Sequence, residues 1–410
     1  MIEDIEPSSD RPRSQAGSSS EDLAQTANWL AVVVIGLTLL GVVMVYSASA
    51  RPDVQPDWRQ FWRYASLRQI AFVPPAILAM FLASCCPLRW WRINNRYWIS
   101  PATVLLAVAL VLLILVLVPG IGLEVNNARR WIRLGGESYG LGFQPSELAK
   151  MALVIFLAGF YSRPSPPGSE AGVQARSFRR GFLPPAVIVA VLACLIAKED
   201  FGTGALVALV GVLMMGVGGT RLIHLLSLLP PAVLAFYLFV YRIPWRWERF
   251  SAFLNPQAHL SGSAYHARQS QIAIASGGWR GLGLGHGIQK YGYVPEDTTD
   301  FIFAIIGEEL GLIGCALVIG AFIILLILAW KIVAKTPDLL GRLLAFGLGA
   351  TIGLQAIIHI GVDAGVLPTK GISLPFVSAG GTGLVLMCVA IGLIMSVART
   401  GPDTISKIKM

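Results

Sequence analysis

Charged residues are scarce in this 410-residue chain: only 13% are Asp, Glu, Lys or Arg, whereas 55% are hydrophobic. The mean hydropathy is +0.66, which is more apolar than a soluble domain needs. The shortage of charge therefore excludes a soluble globular protein and predicts a polytopic membrane protein. The net charge of +9 is dispersed, without a basic helix or an RNA-binding aromatic pattern, so we expect no nucleic-acid partner.

Cysteine is also rare, and its five copies all stand in or beside apolar runs: Cys85, Cys86, Cys194, Cys315 and Cys388. The number is odd and no Cys-x-x-Cys spacing occurs, so we interpret these residues as small buried hydrophobes. The histidines of the long polar segment do not have metal-ligand spacing either. The sequence therefore predicts no disulfide framework and demands no metal site.

Long apolar runs, in contrast, are abundant. Those long enough, or nearly so, to cross a hydrocarbon core about 30 Å thick lie near residues 28–48, 67–86, 99–119, 146–162, 183–197, 203–219, 221–241, 302–330, 343–362 and 377–397. We predict an all-α polytopic membrane protein with about ten transmembrane helices. An even number of spans puts both termini on one side of the membrane.

The chain ends are polar. We expect residues 1–27 to form a disordered tail, residues 28–398 the transmembrane domain, and residues 399–410 a second tail. No cleavable signal peptide is expected, because the first apolar run begins near Trp29 and lacks a small-residue cleavage site. Lys and Arg are in modest excess in the short loops on the side of the termini, which favours cytoplasmic termini.

One long polar segment, residues 242–302, separates the seventh and eighth predicted helices. Its Gly, Arg, Tyr and Pro residues cannot cross a bilayer, because their backbone groups would lie unpaired in hydrocarbon. We therefore predict a large extracytoplasmic loop, and a loop of this length in a compact protein is usually functional. The loop ends in an acidic turn followed by the apolar FIFAII, so Asp300 should lie at the mouth of a membrane helix.

Other polar segments should lie on the same outer side. Arg129 and Arg130 offer forked donors suited to phosphate, although interfacial snorkelling would also explain them. Lys150 stands one turn inside the helix that Gln144-Pro-Ser-Glu is expected to start. Asp200 lies in KEDFGTG, where a helix cap and a substrate contact are equally good explanations.

Within the long loop, the candidate donors are Arg242, Arg246, Arg249, Gln269, Gln289 and Lys290, of which Arg246, Gln269 and Lys290 are predicted to bind substrate. The GLGLGHG stretch at 281–287 lacks the Walker Lys-Ser/Thr, so glycines that permit close backbone packing are the better interpretation. Glu308 and Glu309, inside an apolar helix, need cationic partners, and an ion pair is as good an explanation as catalysis.

A final polar segment, LPTKGISLPFVSAGGTG at 367–383, contains Lys370 and Ser378. Its Pro and Gly content breaks a helix at membrane depth, which is tolerated only around a cavity. Both residues are therefore further candidates for substrate binding.

Together, these segments resemble the SEDS family, the FtsW and RodA proteins. The resemblance covers about residues 28–398 and is carried, in order, by RWI (130–132), QPSELAK (144–150), DFGT (200–203), FLNP (253–256), SGG (276–278), GLGLG (281–285), DFIFA (300–304), GEELG (307–311) and LPTKG (367–371). LPTKGISLPF is more like the division branch, FtsW, than the elongation branch, RodA. His359 and Asp363 stand where asparagine is common.

The resemblance implies ten membrane helices and a peptidoglycan glycosyltransferase that polymerises lipid II during cell division. It also implies a class B penicillin-binding protein and other division proteins as partners, in the bacterial inner membrane at the septum. The essential residue would be Asp300. A lipid II flippase, a RodA-like elongation polymerase and a division scaffold are the alternatives.

The hypothesis for the chemistry follows from one carboxylate among cations. Asp300 would act as general base on the acceptor hydroxyl, and the reaction would invert the anomeric carbon of a lipid-linked donor. A diphosphate leaves without a proton, so a second carboxyl group is unnecessary. Arg129, Arg130 and Lys150 could stabilise the leaving charge. A divalent cation, Mg²⁺ or Mn²⁺, could share that work, although no sequence feature demands one.

Overall fold

The computed structural model describes residues 13–50, 64–93, 100–125, 128–133, 142–164, 173–255, 263–293 and 298–400. These ranges are mainly helical. The α-helices are α1 (Arg13–Ser49), α2 (Ala65–Ser84), α3 (Pro101–Leu117), α4 (Pro145–Tyr161), α5 (Val173–Arg176), α6 (Leu183–Glu199), α7 (Phe201–Val217), α8 (Leu222–Leu226), α9 (Leu229–Phe236), α10 (Pro244–Leu254), α11 (Ser263–Ser276), α12 (Ile302–Lys335), α13 (Leu339–Asp363) and α14 (Gly381–Arg399). Short 3₁₀ and π segments occupy Leu88–Trp91, Phe178–Phe182 and Tyr237–Tyr241.

The lengths and composition of these helices confirm an all-α polytopic membrane protein. Within the described ranges, seven helical stretches are long and apolar enough to cross a membrane: Glu21–Ser49, Ala65–Ser84, Phe178–Glu199, Leu222–Tyr241, Ile302–Lys335, Leu339–Asp363 and Gly381–Arg399. Two shorter apolar helices, α3 and α7, and the 17-residue α4 lie where the sequence predicts further spans. The number of ten crossings stays a prediction.

The helix ends define two faces of the bundle. On one, called the site face, α1 ends beside α12, where the Ser47 hydroxyl contacts Glu309. On the opposite face, Arg399 Nη1 donates to Ser84 Oγ at 2.8 Å, and Lys335 at the end of α12 pairs with Asp22. Both ends of the described chain therefore lie on the opposite face.

Several predicted boundaries need correction. Helix α1 begins at Arg13, so part of the segment expected to be a disordered tail is helical; residues 1–12 and 401–410 lie outside the described ranges. The predicted span 377–397 starts only at Gly381 in the structure. Residues 375–380 form turns and irregular backbone instead of the first helical turn.

A small antiparallel sheet, which the sequence analysis did not anticipate, connects α3 to α4. Its strands are β1 (Gly122–Val125), β2 (Ala128–Arg133) and β3 (Gly142–Phe143), in the order β1-β2-β3. In register, Leu123 pairs with Trp131, and Ile132 with Phe143. The strands are so short and rich in arginine that they resemble an interfacial loop, yet the sheet fixes Arg130 on the site face.

The long loop 242–302 contains α10, α11 and a series of glycine turns, except that residues 256–262 and 294–297 lie outside the described ranges. The turns pack against a kink in α12. At Gly311 the backbone adopts φ 66° and ψ −163°, a region that is essentially restricted to glycine. Here Leu312 N donates to Gly278 O at 2.9 Å, and Gly283 N to Glu309 O at 3.0 Å.

The glycines at this contact are required by distance as well as by dihedral angle. A Cβ on Gly311 would lie 2.3 Å from Gly281 N, and a Cβ on Gly281 would lie 2.1 Å from Glu309 O. Both separations are far below van der Waals contact. The close backbone packing predicted for the GLGLGHG stretch is therefore confirmed.

Replacing Gly311 with alanine should destabilise the protein by at least about 2 kcal/mol, because the new Cβ adds both backbone strain and overlap. The matched control is Gly320→Ala in the same helix, where a Cβ would meet nothing within 4 Å. That change should be neutral or stabilising by about 0.5–1 kcal/mol. Thermal unfolding of the purified variants in detergent measures both, and equal midpoints would contradict the packing described for the kink.

Candidate active site

A polar cavity of about 510 Å³ opens on the site face. Its walls come from β2, the start of α4, α10, α11, the turn before α12, α13 and the irregular segment 364–380. The charged and amide side chains that line it are Arg130, Gln144, Glu147, Arg249, Asp300, Gln355 and Lys370. A volume of this size is in the range of small-molecule sites. The structure therefore brings together residues from distant parts of the sequence.

Asp300 lies in the turn immediately before α12, as the sequence predicts, and faces the cavity. Its carboxylate approaches the backbone at Gly371. A Cβ added there would lie 3.0 Å from Asp300 Oδ2 and 3.5 Å from Arg130 Nη1. Glycine at this position thus allows the carboxylate and the guanidinium to converge on the same point of the cavity wall.

Arg130 is held by the junction between α6 and α7. Its Nε and Nη2 donate to Glu199 O at 3.2 and 3.0 Å, and Nη1 lies 3.6 Å from Asp200 Oδ2. Asp200 is buried and caps α7, where it accepts from Thr203 N at 3.2 Å and from Thr203 Oγ1 at 2.8 Å. Asp200 therefore orients Arg130 and, as the capping interpretation predicts, starts the next helix.

Helix α10 supplies two further cations. Arg246 is buried, and its guanidinium donates to Ala197 O at 2.8 Å and to Lys198 O at 2.6 Å, which ties α10 to the end of α6. Burial lowers the pKa of Arg246 and of Arg249; for Arg249 the nearby Arg130 adds to the shift, while Asp300 opposes it. Arginine starts from a pKa above 12, so both stay cationic.

A smaller cavity of about 100 Å³ adjoins this site, between α10 and the stretch Leu222–Tyr241. Lys370 lines both cavities, and its Nζ lies 4.2 Å from the ring centroid of Phe201. Burial lowers the pKa of Lys370 to about 8; Asp200 opposes the shift, whereas Arg246 and Arg249 add to it. Lys370 is therefore an amine whose charge changes near neutral pH.

Two predicted substrate-binding residues lie just behind the cavity wall. Lys150 is 4% exposed and pairs with Glu147 at 2.8 Å, while its Nζ donates to Gln355 Oε1 at 2.6 Å. Ser378 Oγ donates to Thr299 O at 2.7 Å and so supports the turn before Asp300. These contacts orient the residues that line the cavity. Arg129 lines neither cavity and pairs with the exposed Glu124 at 3.0 Å.

Two more predicted substrate-binding residues, Lys290 and Gln269, lie outside the lining of both cavities. Lys290 is 1% exposed and forms an ion pair with Glu309 at 2.9 Å, so it is buried beside α1 rather than placed for a ligand. Gln269 is half-buried on α11. The substrate contacts predicted for Lys290 and Gln269 find no support in this placement.

The cationic partner predicted for Glu309 is Lys290. Glu308 instead has backbone partners, since its Oε1 accepts from Ile288 N at 2.8 Å.

No ligand role was predicted for three residues that line the large cavity: Trp245, His266 and Gln355. The amide of Gln355, inside the apolar run of α13, was a detectable signal, because polar groups at membrane depth need a partner or a cavity. His266 gave no such signal. Burial, with Arg249 nearby, lowers its pKa, so a neutral imidazole faces the cavity.

Within the described ranges, no group of three or more His, Cys, Asp or Glu side chains is arranged to hold a metal ion. The divalent cation considered from the sequence stays a prediction.

Comparison with known proteins supports the resemblance noted in the sequence. Residues 27–401 match the model of the FtsW/RodA/SpoVE family, described as cell cycle proteins. The chain is 38% identical over 376 residues to a probable peptidoglycan glycosyltransferase FtsW of Coxiella burnetii, covering 90% of this chain and 95% of that protein. It is also 38% identical to stage V sporulation protein E of Bacillus subtilis, covering 92% and 98%.

Solved structures show the same fold. A chain from a peptidoglycan synthase complex matches with a TM-score of 0.70 and 28% identity, covering 90% of this chain and 96% of that one. That structure describes the coordination of polymerization and crosslinking by the complex. The rod shape determining protein RodA of Thermus thermophilus matches with a TM-score of 0.62 and 26% identity, covering 91% and 96%. The chain is a polytopic membrane protein of the cell-cycle class. It belongs to the FtsW/RodA/SpoVE family.

The lowered pKa of Lys370 can be measured by competitive labelling with acetic anhydride and mass spectrometry. Only the neutral amine reacts, so the labelling rate should rise with pH, reach half its maximum at pH about 8 and level off about one unit higher. Asp200→Asn keeps a helix-capping side chain but removes a nearby negative charge, so it should move the midpoint to lower pH. A wild-type rate that still rises tenfold between pH 9 and 10 would contradict this environment for Lys370.

Proposed function

We propose that this chain is a peptidoglycan glycosyltransferase of the division branch, which polymerises lipid II into glycan strands. Family membership and the relatives named as FtsW glycosyltransferases support the activity. The observation that carries the mechanism is the convergence of Asp300 with Arg130, Arg249 and Lys370 in one cavity. A carboxylate beside three cations suits a reaction that removes a proton at one atom and releases an anion at another.

In this mechanism Asp300 takes the proton from the acceptor sugar hydroxyl. The oxygen attacks the anomeric carbon of the lipid-linked donor, the carbon–diphosphate bond breaks, and the configuration inverts. Arg130, Arg249 and Lys370 stabilise the charge that develops on the diphosphate. Since diphosphate leaves as an anion, the site needs no carboxylic acid to protonate it, unlike an inverting hydrolase.

The other carboxylates near the cavity hold cations in place. Glu147 lies 2.8 Å from Lys150, and Asp200 contacts Arg130 and caps α7. Asp300 is the residue we assign to proton transfer, because it faces the cavity from the turn before α12, beside Gly371.

The smaller cavity fits the lipid part of the substrate. Phe236 and Val240 line it, and they belong to the stretch Leu222–Tyr241, of which only 6% is buried inside the protein. An apolar helix exposed in this way is covered by lipid, so a polyprenyl chain can leave the site without entering water. We place the cavity on the outer side of the bacterial plasma membrane, at the septum, with both termini cytoplasmic and a class B penicillin-binding protein as partner.

Packing beneath the cavity favours an enzyme over a transporter that flips the lipid through the bundle. Helices α4, α7 and α13 pack closely there. A Cβ on Gly347 would lie 2.6 Å from both Met214 Sδ and Val154 Cγ1, and these two side chains are fully buried. Passage of a sugar headgroup would require this core to separate.

The test uses the purified chain with a class B penicillin-binding protein and labelled lipid II, and resolves the glycan strands on gels. Asp300→Asn should reduce polymerisation by about 10²–10⁴-fold, the range expected for loss of a general base, without lowering the thermal midpoint. The control is Asp338→Asn on the opposite face, which keeps a helix-capping side chain and loses only an exposed pair with Arg92.

Each alternative predicts a different pattern. A flippase would translocate labelled lipid II in vesicles, would form no polymer, and would keep its transport after Asp300→Asn. A scaffold would do neither, and growth of cells would tolerate Asp300→Asn. Polymerisation that survives in Asp300→Asn would overturn the assignment of the base while leaving the glycosyltransferase activity in place.

A further inference from the structure

Behind the cavity wall, α13 carries a buried histidine–aspartate pair one helical turn apart. His359 Nε2 lies 3.4 Å from Asp363 Oδ2, and the two side chains are 1% and 0% exposed. Neither residue lines the cavities described above. Two ionisable groups enclosed so completely are costly unless they are matched to each other and to the surrounding backbone.

One hydrogen bond fixes the imidazole of His359. Its Nδ1 lies 2.6 Å from Ile372 O, and a carbonyl only accepts, so Nδ1 carries a proton. Nε2 lies 3.4 Å from Asp363 Oδ2 without a hydrogen bond between them. The bond from Nδ1 and the enclosure beside Asp363 therefore keep the imidazole in one orientation.

The same pair contacts the elements that flank Asp300. Asp363 Oδ2 accepts from Ala304 N at 3.1 Å, in the first turn of the helix that follows Asp300. Asp363 O accepts from Ser270 Oγ at 2.7 Å, on α11. Through Ile372, His359 holds the residue next to Gly371, where Asp300 and Arg130 converge.

We propose that His359 and Asp363 form a buried couple that positions the Gly371 backbone against Asp300 for glycosyl transfer. This inference rests on the proposed function for its catalytic meaning. Both are positioning residues, because they act on the base through Ile372 O and Ala304 N without touching substrate. Their role is to keep the Asp300 carboxylate and the segment that carries Lys370 at fixed positions relative to each other across the cavity.

Stability alone does not account for the couple. Replacing a buried ion pair by apolar residues of similar volume is often neutral or stabilising, so α13 does not need this pair in order to pack. The segment also has a second anchor, since Gln355 Nε2 donates to Ser373 O at 2.9 Å. Loss of the bond to Ile372 should therefore shift the segment near Gly371 without detaching it.

The experiment compares two double variants that differ by one methylene group. In His359→Asn/Asp363→Asn the amide nitrogen is attached to Cγ, as Nδ1 is, and can still donate to Ile372 O. In His359→Gln/Asp363→Asn the amide nitrogen takes the place of Nε2 and loses that bond. Polymerisation of lipid II is measured for both as kcat and KM, together with the thermal midpoint and hydrogen exchange of the peptide that covers 367–380.

We expect the asparagine double variant to keep kcat within about fivefold of the wild type. The glutamine variant should lose about 10–100-fold in kcat with less than threefold change in KM, because a misplacement of about 1 Å costs up to 10²-fold. Its 367–380 peptide should exchange faster, while peptides of α14 exchange as before. Equal kcat and equal exchange in the two double variants would overturn the proposal.

The single variants provide an independent check. Asp363→Asn keeps both backbone ties, since its amide oxygen can accept from Ala304 N and His359 Nδ1 can still donate to Ile372 O, so kcat should stay within about threefold. A tenfold loss of kcat in Asp363→Asn at an unchanged midpoint would overturn the geometric account even if the double variants did not fold. If the wild type forms no glycan, the proposed function fails, and the exchange comparison alone still decides whether His359 positions the segment.

Discussion

Irregular backbone at the end of a membrane helix bundle must find a hydrogen-bond partner for each buried polar group. The segment 364–380 meets this demand through side-chain and backbone partners, some within the segment and some on neighbouring elements. Gly380 N donates to Gln69 Oε1 at 3.1 Å, Leu374 N donates to Ser378 Oγ at 2.8 Å, and Ala379 N donates to Thr298 O at 2.9 Å. The site depends on this constraint, because the same bonds that make the segment tolerable also fix its position.

Fixing this segment places charges that would otherwise be free to move. Lys370 sits in it beside Phe201, and Gly371 permits the approach of Asp300 and Arg130. Charged hydrogen bonds in a water-poor cavity are strong, but they catalyse only if the donors are already aimed where charge develops. The protein achieves this aim with buried partners, such as the Lys150–Glu147 pair, that do not themselves need to touch a ligand.

The sequence was a good guide to helices and to Asp300, since long apolar runs and a charged residue at a helix mouth are local signals. It was a poorer guide to which cations share the cavity. Lys290 and Lys370 both follow glycine-rich or proline-rich stretches, yet one is buried against Glu309 and the other faces the cavity. Lys290 differs from Lys370 because it is buried where α1 packs against α12, and no local sequence pattern indicates that contact. The sheet around Arg130 was missed because its pairing is short and its residues are charged.

The break at Gly311 divides α12 into a short upper rod, which follows Asp300, and a long lower rod inside the bilayer. The glycine turns hold both rods at the junction through backbone hydrogen bonds, so both rods are mechanically coupled to the loop that carries α10 and α11. A membrane span adjusts its tilt when bilayer thickness changes. Because the turns bond to residues on both sides of Gly311, such tilting is passed to the turn that carries Asp300, and the alignment of the carboxylate depends on the thickness of the surrounding lipid.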